Sequence, residues 1–242
     1  MFVGEARIPE GWRVYAIGDV HGRLDCLTKM FKKIERDLAK RRPENHRIIM
    51  LGDYCDRGPN SAGVIDFLAK RAEEEENFIC LLGNHDAWFI EFLASPEEVG
   101  DSFLYFGGRE TLASYGIDAS RLPVSAVELS HRLAEKLPPE HWQFLSGLQP
   151  SFTMGDYFFC HAGVRPGIEL ERQSIEDLIW IRDEFLYFPA SFGKVVVHGH
   201  TPHRIEQVRR NRINVDTGAY MSGVLTCAVL EGNDCQFLRA SR

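Results

Sequence analysis

An α/β fold of packed layers is predicted by three features of the 242-residue chain. Short apolar runs recur and stop abruptly at Gly, Asp, Asn or His, stretches of helical spacing lie between them, and further strand-like runs close the chain. The runs Arg13 to Asp19, Arg47 to Asp53, Phe78 to Asn84, Tyr157 to His161 and Lys194 to His200 are rich in Val, Ile, Leu and Phe, the pattern of strands buried on both faces. Between the first two, Leu24, Leu27, Phe31, Ile34 and Leu38 recur every three or four residues, with Lys32, Lys33, Arg36 and Asp37 elsewhere, which predicts an amphipathic helix. A second helix is expected from about Ser61 to Glu76, with Val64, Ile65 and Leu68 as its apolar stripe and Glu73 to Glu76 as a solvated end. From Phe89 to Pro150 the pattern is helical and irregular, broken at Pro96, Pro123, Pro138 and Pro139, and reads as a helical cap inserted into a single domain spanning 1–242. The runs Arg212 to Asp216, Val224 to Leu230 and Cys235 to Leu238, with turns at Gly218 and Gly232–Asn233, predict antiparallel strands of a second sheet packed against the first.

Composition narrows the function. The net charge of −7 argues against a nucleic-acid partner gripped through a broad basic face. No apolar run is long enough for a membrane span, and Met1 to Arg13 lacks the pattern of a secretory signal, so a soluble, cytoplasmic protein with no membrane partner is expected. Six scattered cysteines without a CxxC pair predict buried thiols.

The chemistry-bearing residues fall at the strand ends. Gly18–Asp19–Val20–His21–Gly22 sets a carboxylate and an imidazole two residues apart between glycines; Gly52–Asp53–Tyr54–Cys55–Asp56–Arg57–Gly58 adds two carboxylates and a guanidinium; Gly83–Asn84–His85–Asp86 adds an amide and an imidazole. Singly, each has an ordinary explanation: a turn, a surface ion pair, an Asn capping a helix. Three successive strands ending alike are not explained by independent turns, and Cys160–His161–Ala162–Gly163 and His198–Gly199–His200–Thr201 bring further imidazoles to the same crevice. Mixed Asp, Asn and His donors suit manganese, iron or zinc better than calcium. Two adjacent cations would both neutralise a phosphate ester and acidify a shared water, and Asp53, with two oxygens and a central position, is the natural bridge between them.

These segments resemble the metallophosphoesterases, and within them the bacterial and phage phosphoprotein phosphatases that act on phosphoserine and phosphothreonine. The resemblance rests on GDVHG at 18–22, GDYCDRG at 52–58, GNHD at 83–86, HAG at 161–163 and GHTP at 199–202, with weaker matches at Trp180–Ile181–Arg182 and Val215 to Ala219. It implies the calcineurin-like four-layer αββα sandwich, two mixed sheets flanked by helices. It further implies that Asp19, His21 and Asp53 hold one divalent ion and Asp53, Asn84, His161 and His200 the other, manganese first, with iron or zinc as alternatives. Arg57 and Arg182 would grip the phosphoryl oxygens, His85 paired with Asp56 would protonate the leaving group as an imidazolium, and a hydroxide shared by the ions would attack in one step. Spacing alone does not choose between His198 and His200; the GHT pattern of the family favours His200, leaving His198 a supporting role. Proline at 202 departs from the GHxH of the phosphodiesterase branches and favours a phosphatase. The expected activity is therefore metal-dependent hydrolysis of phosphomonoesters on phosphoproteins. Symmetrical cleavage of a dinucleoside tetraphosphate, with Trp142 or Phe106 stacking on a base, and a non-catalytic metal-binding module are the alternatives.

Overall fold

The computed structural model of the protein describes residues 5–119 and 124–242. Pro123, read above as a break, and the start of the stretch from Met1 to Arg13 lie outside the described residues. The strands, in chain order, are β1 (Trp12–Ile17), β2 (Asn45–Met50), β3 (Phe78–Cys80), β4 (Ser151–Met154), β5 (Tyr157–Cys160), β6 (Val195–His198), β7 (Gln207–Val208), β8 (Arg212–Asn214), β9 (Val224–Glu231) and β10 (Asp234–Ser241). They form two five-stranded sheets in the orders β10-β9-β1-β2-β3 and β4-β5-β6-β8-β7.

Alternation along β1 explains why the sheets stack. Val14 and Ala16 turn one way, into a core shared with Ile49, Leu51, Phe159, Val197 and Ile213 of both sheets, whereas Tyr15 and Ile17 turn the other way, toward helices. The helices against that outer face include α1 (Leu24–Arg41), which buries Leu27, Met30, Phe31 and Ile34, and α2 (Ser61–Glu74), which buries Val64, Ile65 and Leu68. Both match the expected stripes. Between β3 and β4 lie α3 (Asn84–Ala94), α4 (Pro96–Phe103), α5 (Arg109–Ser114), α6 (Ala126–Lys136) and α7 (Pro139–Ser146), which join the same core through Phe92, Phe103, Leu129, Leu133 and Phe144. On the far face of the second sheet, Phe158, Cys160 and Val196 pack on Leu178 and Ile179 of α8 (Ile175–Trp180) and on Phe185 of α9 (Asp183–Leu186). A last short helix, α10 (Ala219–Ser222), leads into β9. Helix, sheet, sheet and helix layers follow, as expected.

One expectation is corrected. The hairpin of β9 and β10 belongs to the first sheet, pairing antiparallel with β1 from Arg13↔Glu231 to Ile17↔Cys227. There it covers an edge of β1 that would otherwise present unpaired backbone groups. Of the closing runs only β8 enters the second sheet, and it runs parallel to β6. None of the described helices is long and apolar enough to cross a membrane, and all six cysteines are buried.

Phe159 is fully buried between the sheets, so Phe159→Ala is expected to lower unfolding stability by about 3–5 kcal/mol in denaturant melts. Tyr105→Ala, at a position 82% exposed, should change it by less than about 0.5 kcal/mol.

Candidate metal centre

The loops that leave β1, β2, β3, β5 and β6 meet around Asp53. Its Oδ2 lies 3.4 Å from His21 Nε2 and its Oδ1 3.4 Å from His161 Nε2. Asn84 Oδ1 lies 2.9 Å from both His161 Nε2 and His200 Nδ1, and those two nitrogens are 3.2 Å apart. The Asp19 carboxylate accepts the His200 backbone N–H at 3.2 and 3.1 Å. Asp19, His21, Asp53, Asn84, His161 and His200 are thus brought together, all of them buried. His21 and His161 each turn Nδ1 to a backbone carbonyl, of Cys55 at 2.8 Å and Leu51 at 2.9 Å, which aims Nε2 of each ring at Asp53. Two groups close enough to hold a cation result, His21–Asp53–His85 and Asp53–His161–His200, with Asp53 common to both.

The donor set fits cations. Nitrogen and oxygen donor atoms converge, and the buried His200 Nε2 has no hydrogen-bond partner among the described residues. Burial pushes Asp19 well above the usual carboxylate range, reinforced by the nearby Asp216 and Asp53, and burial lifts Asp216 to about 6. A divalent ion relieves this crowding of negative charge. Burial lowers His21 to about 3 and His200 to about 2, so both rings are neutral, as a metal ligand requires. Burial also opposes charge on His161, but the adjacent Asp53 outweighs it and raises that imidazole to about 9.

Local backbone accounts for the convergence. Five candidate site residues adopt positive φ: His21 (44°), Asp53 (55°), Asp56 (68°), Arg57 (65°) and His200 (66°). The only other such non-glycine among the described residues is Arg42, which ends α1. Left-handed backbone at non-glycine positions is strained and persists where surrounding contacts enforce it. Two glycines permit the close approach: a Cβ at Gly83 would collide with Asp53, and one at Gly199 with Asp19. Asn84 does not cap α3; Gly83 occupies that position and the Asn84 amide oxygen faces the imidazoles. Asp86 supplies the return contact of a capping box, accepting Gly83 N–H at 3.1 Å. It also accepts Asp53 N–H at 2.7 Å and Tyr54 N–H at 2.9 Å.

Beside this cluster His85 Nδ1 meets Asp56 Oδ2 at 2.7 Å, and Asp56 Oδ1 accepts the Thr111 hydroxyl at 2.6 Å. Arg57 reaches His85 Nε2 at 2.7 Å and His21 Nε2 at 3.1 Å. A guanidinium only donates, so in this geometry both nitrogens present lone pairs and the His85 proton sits at Nδ1 toward Asp56. Its Cζ lies 4.8 Å from the centre of the Tyr220 ring. Arg182, at the N-cap of α9, is exposed and lies near enough to His200 to depress that ring's basicity. His198 faces away from the cluster, against Phe185 and Arg212.

Three contributors carried no usable signal in the sequence. Thr111 lies 55 residues beyond Asp56, inside the helical segment. Tyr220 and Trp88 are reached only through the folded rings, with Tyr220 5.2 Å from His21 and Trp88 5.6 Å from His85. Asp86 was visible in the GNHD motif, and its position three residues into α3 is the one signal that marks it as a capping carboxylate.

Residues 13–234 match the calcineurin-like phosphoesterase family, and the chain belongs to it. Among curated relatives, a protein of Bacillus velezensis named bis(5'-nucleosyl)-tetraphosphatase PrpE [asymmetrical] is 26% identical over 230 residues, covering 87% of this chain and 86% of its own. One of the same name from Halalkalibacterium halodurans is 23% identical, covering 87% of each chain. Among solved structures, a protein proposed to be a diadenosine tetraphosphatase superposes with a TM-score of 0.63 at 20% identity, covering 97% of this chain and 98% of its own. A Saccharomyces cerevisiae protein serine/threonine phosphatase with similarity to human phosphatase PP5 gives 0.61 at 14% identity, covering 96% and 80%. At these identities the structural likenesses speak for the fold.

A cation seated on His161 Nε2 must displace its proton, so uptake of Mn²⁺ should release protons below about pH 9 and affinity should rise with pH up to that point. Calorimetry in buffers of different ionisation enthalpy measures this; uptake without proton release would remove His161 from the ligand set. Asp86→Ala should cost at least about 2 kcal/mol in denaturant melts, because it strands three backbone N–H groups.

Proposed function

We propose that this phosphoesterase hydrolyses the polyphosphate chain of a dinucleoside polyphosphate, with two divalent cations held by Asp19, His21, Asp53, Asn84, His161 and His200. The observation that carries the nucleotide reading is an aromatic recess of about 560 Å³ in which Tyr105, Phe106 and Tyr220 share a wall with Arg57. Phe106, 45% exposed, stacks on Trp88 at 5.3 Å, and Trp88 in turn meets His85 and Trp180. Exposed rings beside a phosphate-gripping arginine suit a flat base attached to a phosphate chain. The names of the curated relatives agree with this reading.

When bound, the cations supply charge neutralisation and activation of water. The chain's own residues do the rest. Arg57, whose guanidinium lies over Tyr220, turns from the two imidazoles to the phosphoryl oxygens, which offer its fork a charged partner. Arg182 closes on the same group from the α9 side. His85, held through Nδ1 by Asp56, then carries a proton on the freed Nε2 to the departing oxygen.

A second reading, hydrolysis of phosphoserine and phosphothreonine in proteins, is favoured by the motif set GDVHG, GDYCDRG, GNHD, HAG and GHTP. The Mn²⁺-loaded protein separates the two when assayed with diadenosine tetraphosphate and a phosphoserine peptide. The nucleotide is expected to be the better substrate. Phe106→Ala should lower its kcat/KM by about tenfold, the loss of one stacked base, while leaving the peptide within about twofold. A preference for the peptide, or equal losses on both substrates, would establish the second reading instead.

A further inference from the structure

We propose that a pocket centred on Arg212 and adjoining the metal centre through Arg182 is a second anion site that binds a phosphate group. Three arginines among the described residues are buried: Arg13, Arg23 and Arg212. Arg13 pairs with Asp37 at 2.8 Å and with Glu231, and Arg23 pairs with Asp25 at 2.7 Å. Arg212, only 5% exposed, meets no carboxylate among the described residues. Its contacts are long and neutral: His198 Nε2 at 3.4 Å, Gln207 Oε1 at 3.3 Å from each terminal nitrogen, and the Leu186 carbonyl at 3.4 Å. A buried charge without a counter-ion is costly, and here the fold maintains one.

The surroundings add to the positive charge. Arg212 opens on a cavity of about 590 Å³ lined also by Arg182, His203, Arg209 and Arg210, with Asp183 its one acidic lining residue. In a chain of net charge −7 this concentration is local. Burial, with Arg209 adding to it, makes the Arg212 guanidinium less basic than usual, the direction expected when no anion compensates it. A separate observation points to the same missing partner: Thr201, which lines the cavity next to His200 in the chain, has a buried hydroxyl without a hydrogen-bond partner among the described residues. Guanidinium forks and a free hydroxyl match tetrahedral phosphate oxygens. The group comes either from the distal part of a polyphosphate substrate, an assignment that rests on the nucleotide reading, or from free orthophosphate, which does not.

Equilibrium dialysis of the metal-loaded enzyme with radiolabelled orthophosphate tests the site. Wild type is expected to bind one equivalent at the metal centre and a further one at Arg212, and Arg212→Gln and the double variant Arg209→Ala/Arg210→Ala should lose the further one. The double variant changes exposed positions only, so it decides the matter should Arg212→Gln fail to fold. The same double variant should raise KM for diadenosine tetraphosphate by about tenfold while kcat/KM for p-nitrophenyl phosphate stays within about twofold. Loss of the further equivalent with an unchanged nucleotide KM assigns the site to free orthophosphate. If wild type does not turn over the nucleotide at all, the nucleotide reading falls and the phosphate count still decides the site. A single equivalent in wild type, or a further equivalent that survives in the double variant, overturns the proposal.

Discussion

The centre depends on a reciprocal exchange between the loops after β2 and β3. Asp86 accepts the backbone N–H of Asp53, and Asp53 accepts the backbone N–H of His85. Each carboxylate is thereby fixed by the other's loop. Neither exchange is available to an isolated strand end, because each donor lies more than thirty residues from its acceptor in the chain. The shared carboxylate of Asp53 can therefore face His21 on one side and His161 on the other without itself being free to rotate toward water. Gly83 makes the exchange possible by giving up the side chain that would stand where Asp53 sits.

Strain is the counterpart of that fixation. Left-handed backbone at His21, Asp53, Asp56, Arg57 and His200 costs of order 1 kcal/mol or more at each residue. It is offset by hydrogen bonds that exist only when the loops are assembled, among them Val20 N–H and His21 N–H to Asp53 O, and Arg57 N–H to Gly107 O. The last of these ties the helical segment between β3 and β4 to the site. Gly107, at φ 119°, places its carbonyl against the backbone of Arg57, and Thr111 a turn later holds Asp56. A segment that by pattern is only an irregular helical insertion thus supports the His85–Asp56 pair from behind and carries the exposed rings of Tyr105 and Phe106 in front.

The sequence made the strand tips legible because each combines an apolar run with an abrupt glycine and a donor side chain, a local pattern that survives without knowledge of the fold. The layering was legible for the same reason: β1 from Val14 and β2 from Ile48 are apolar on both faces, and α1 and α2 are apolar on one. What was not legible is long-range. Alternation in 224–241 announces a hairpin but not the edge it will join, and the strand it covers, β1, lies at the other end of the chain. Two-residue β7 and four-residue β4, with only Phe152 and Met154 apolar, are too short to mark a strand by pattern. The separation of His198 from His200 is likewise a matter of packing: one ring is taken by Phe185 and Arg212, the other by Asn84 and His161.

Charge is arranged in the opposite sense to the whole molecule. The chain is acidic, yet its buried carboxylates Asp19, Asp53 and Asp216 are concentrated where cations would sit, and its guanidiniums are displayed around them: Arg57 on the α5 side, Arg182 and Arg212 on the α9 side. An anion approaching an acidic protein is repelled at long range, so selection must act at short range, where low dielectric strengthens each contact. The two arginine groups differ in company, aromatic rings beside Arg57 and further positive charge beside Arg182. On the proposed reading, a substrate with a flat base at one end and more phosphates beyond the reacting one would meet both sides of the cleft at once. That asymmetry in the walls, rather than anything in the ligand cluster itself, is what distinguishes the nucleotide reading from the protein one.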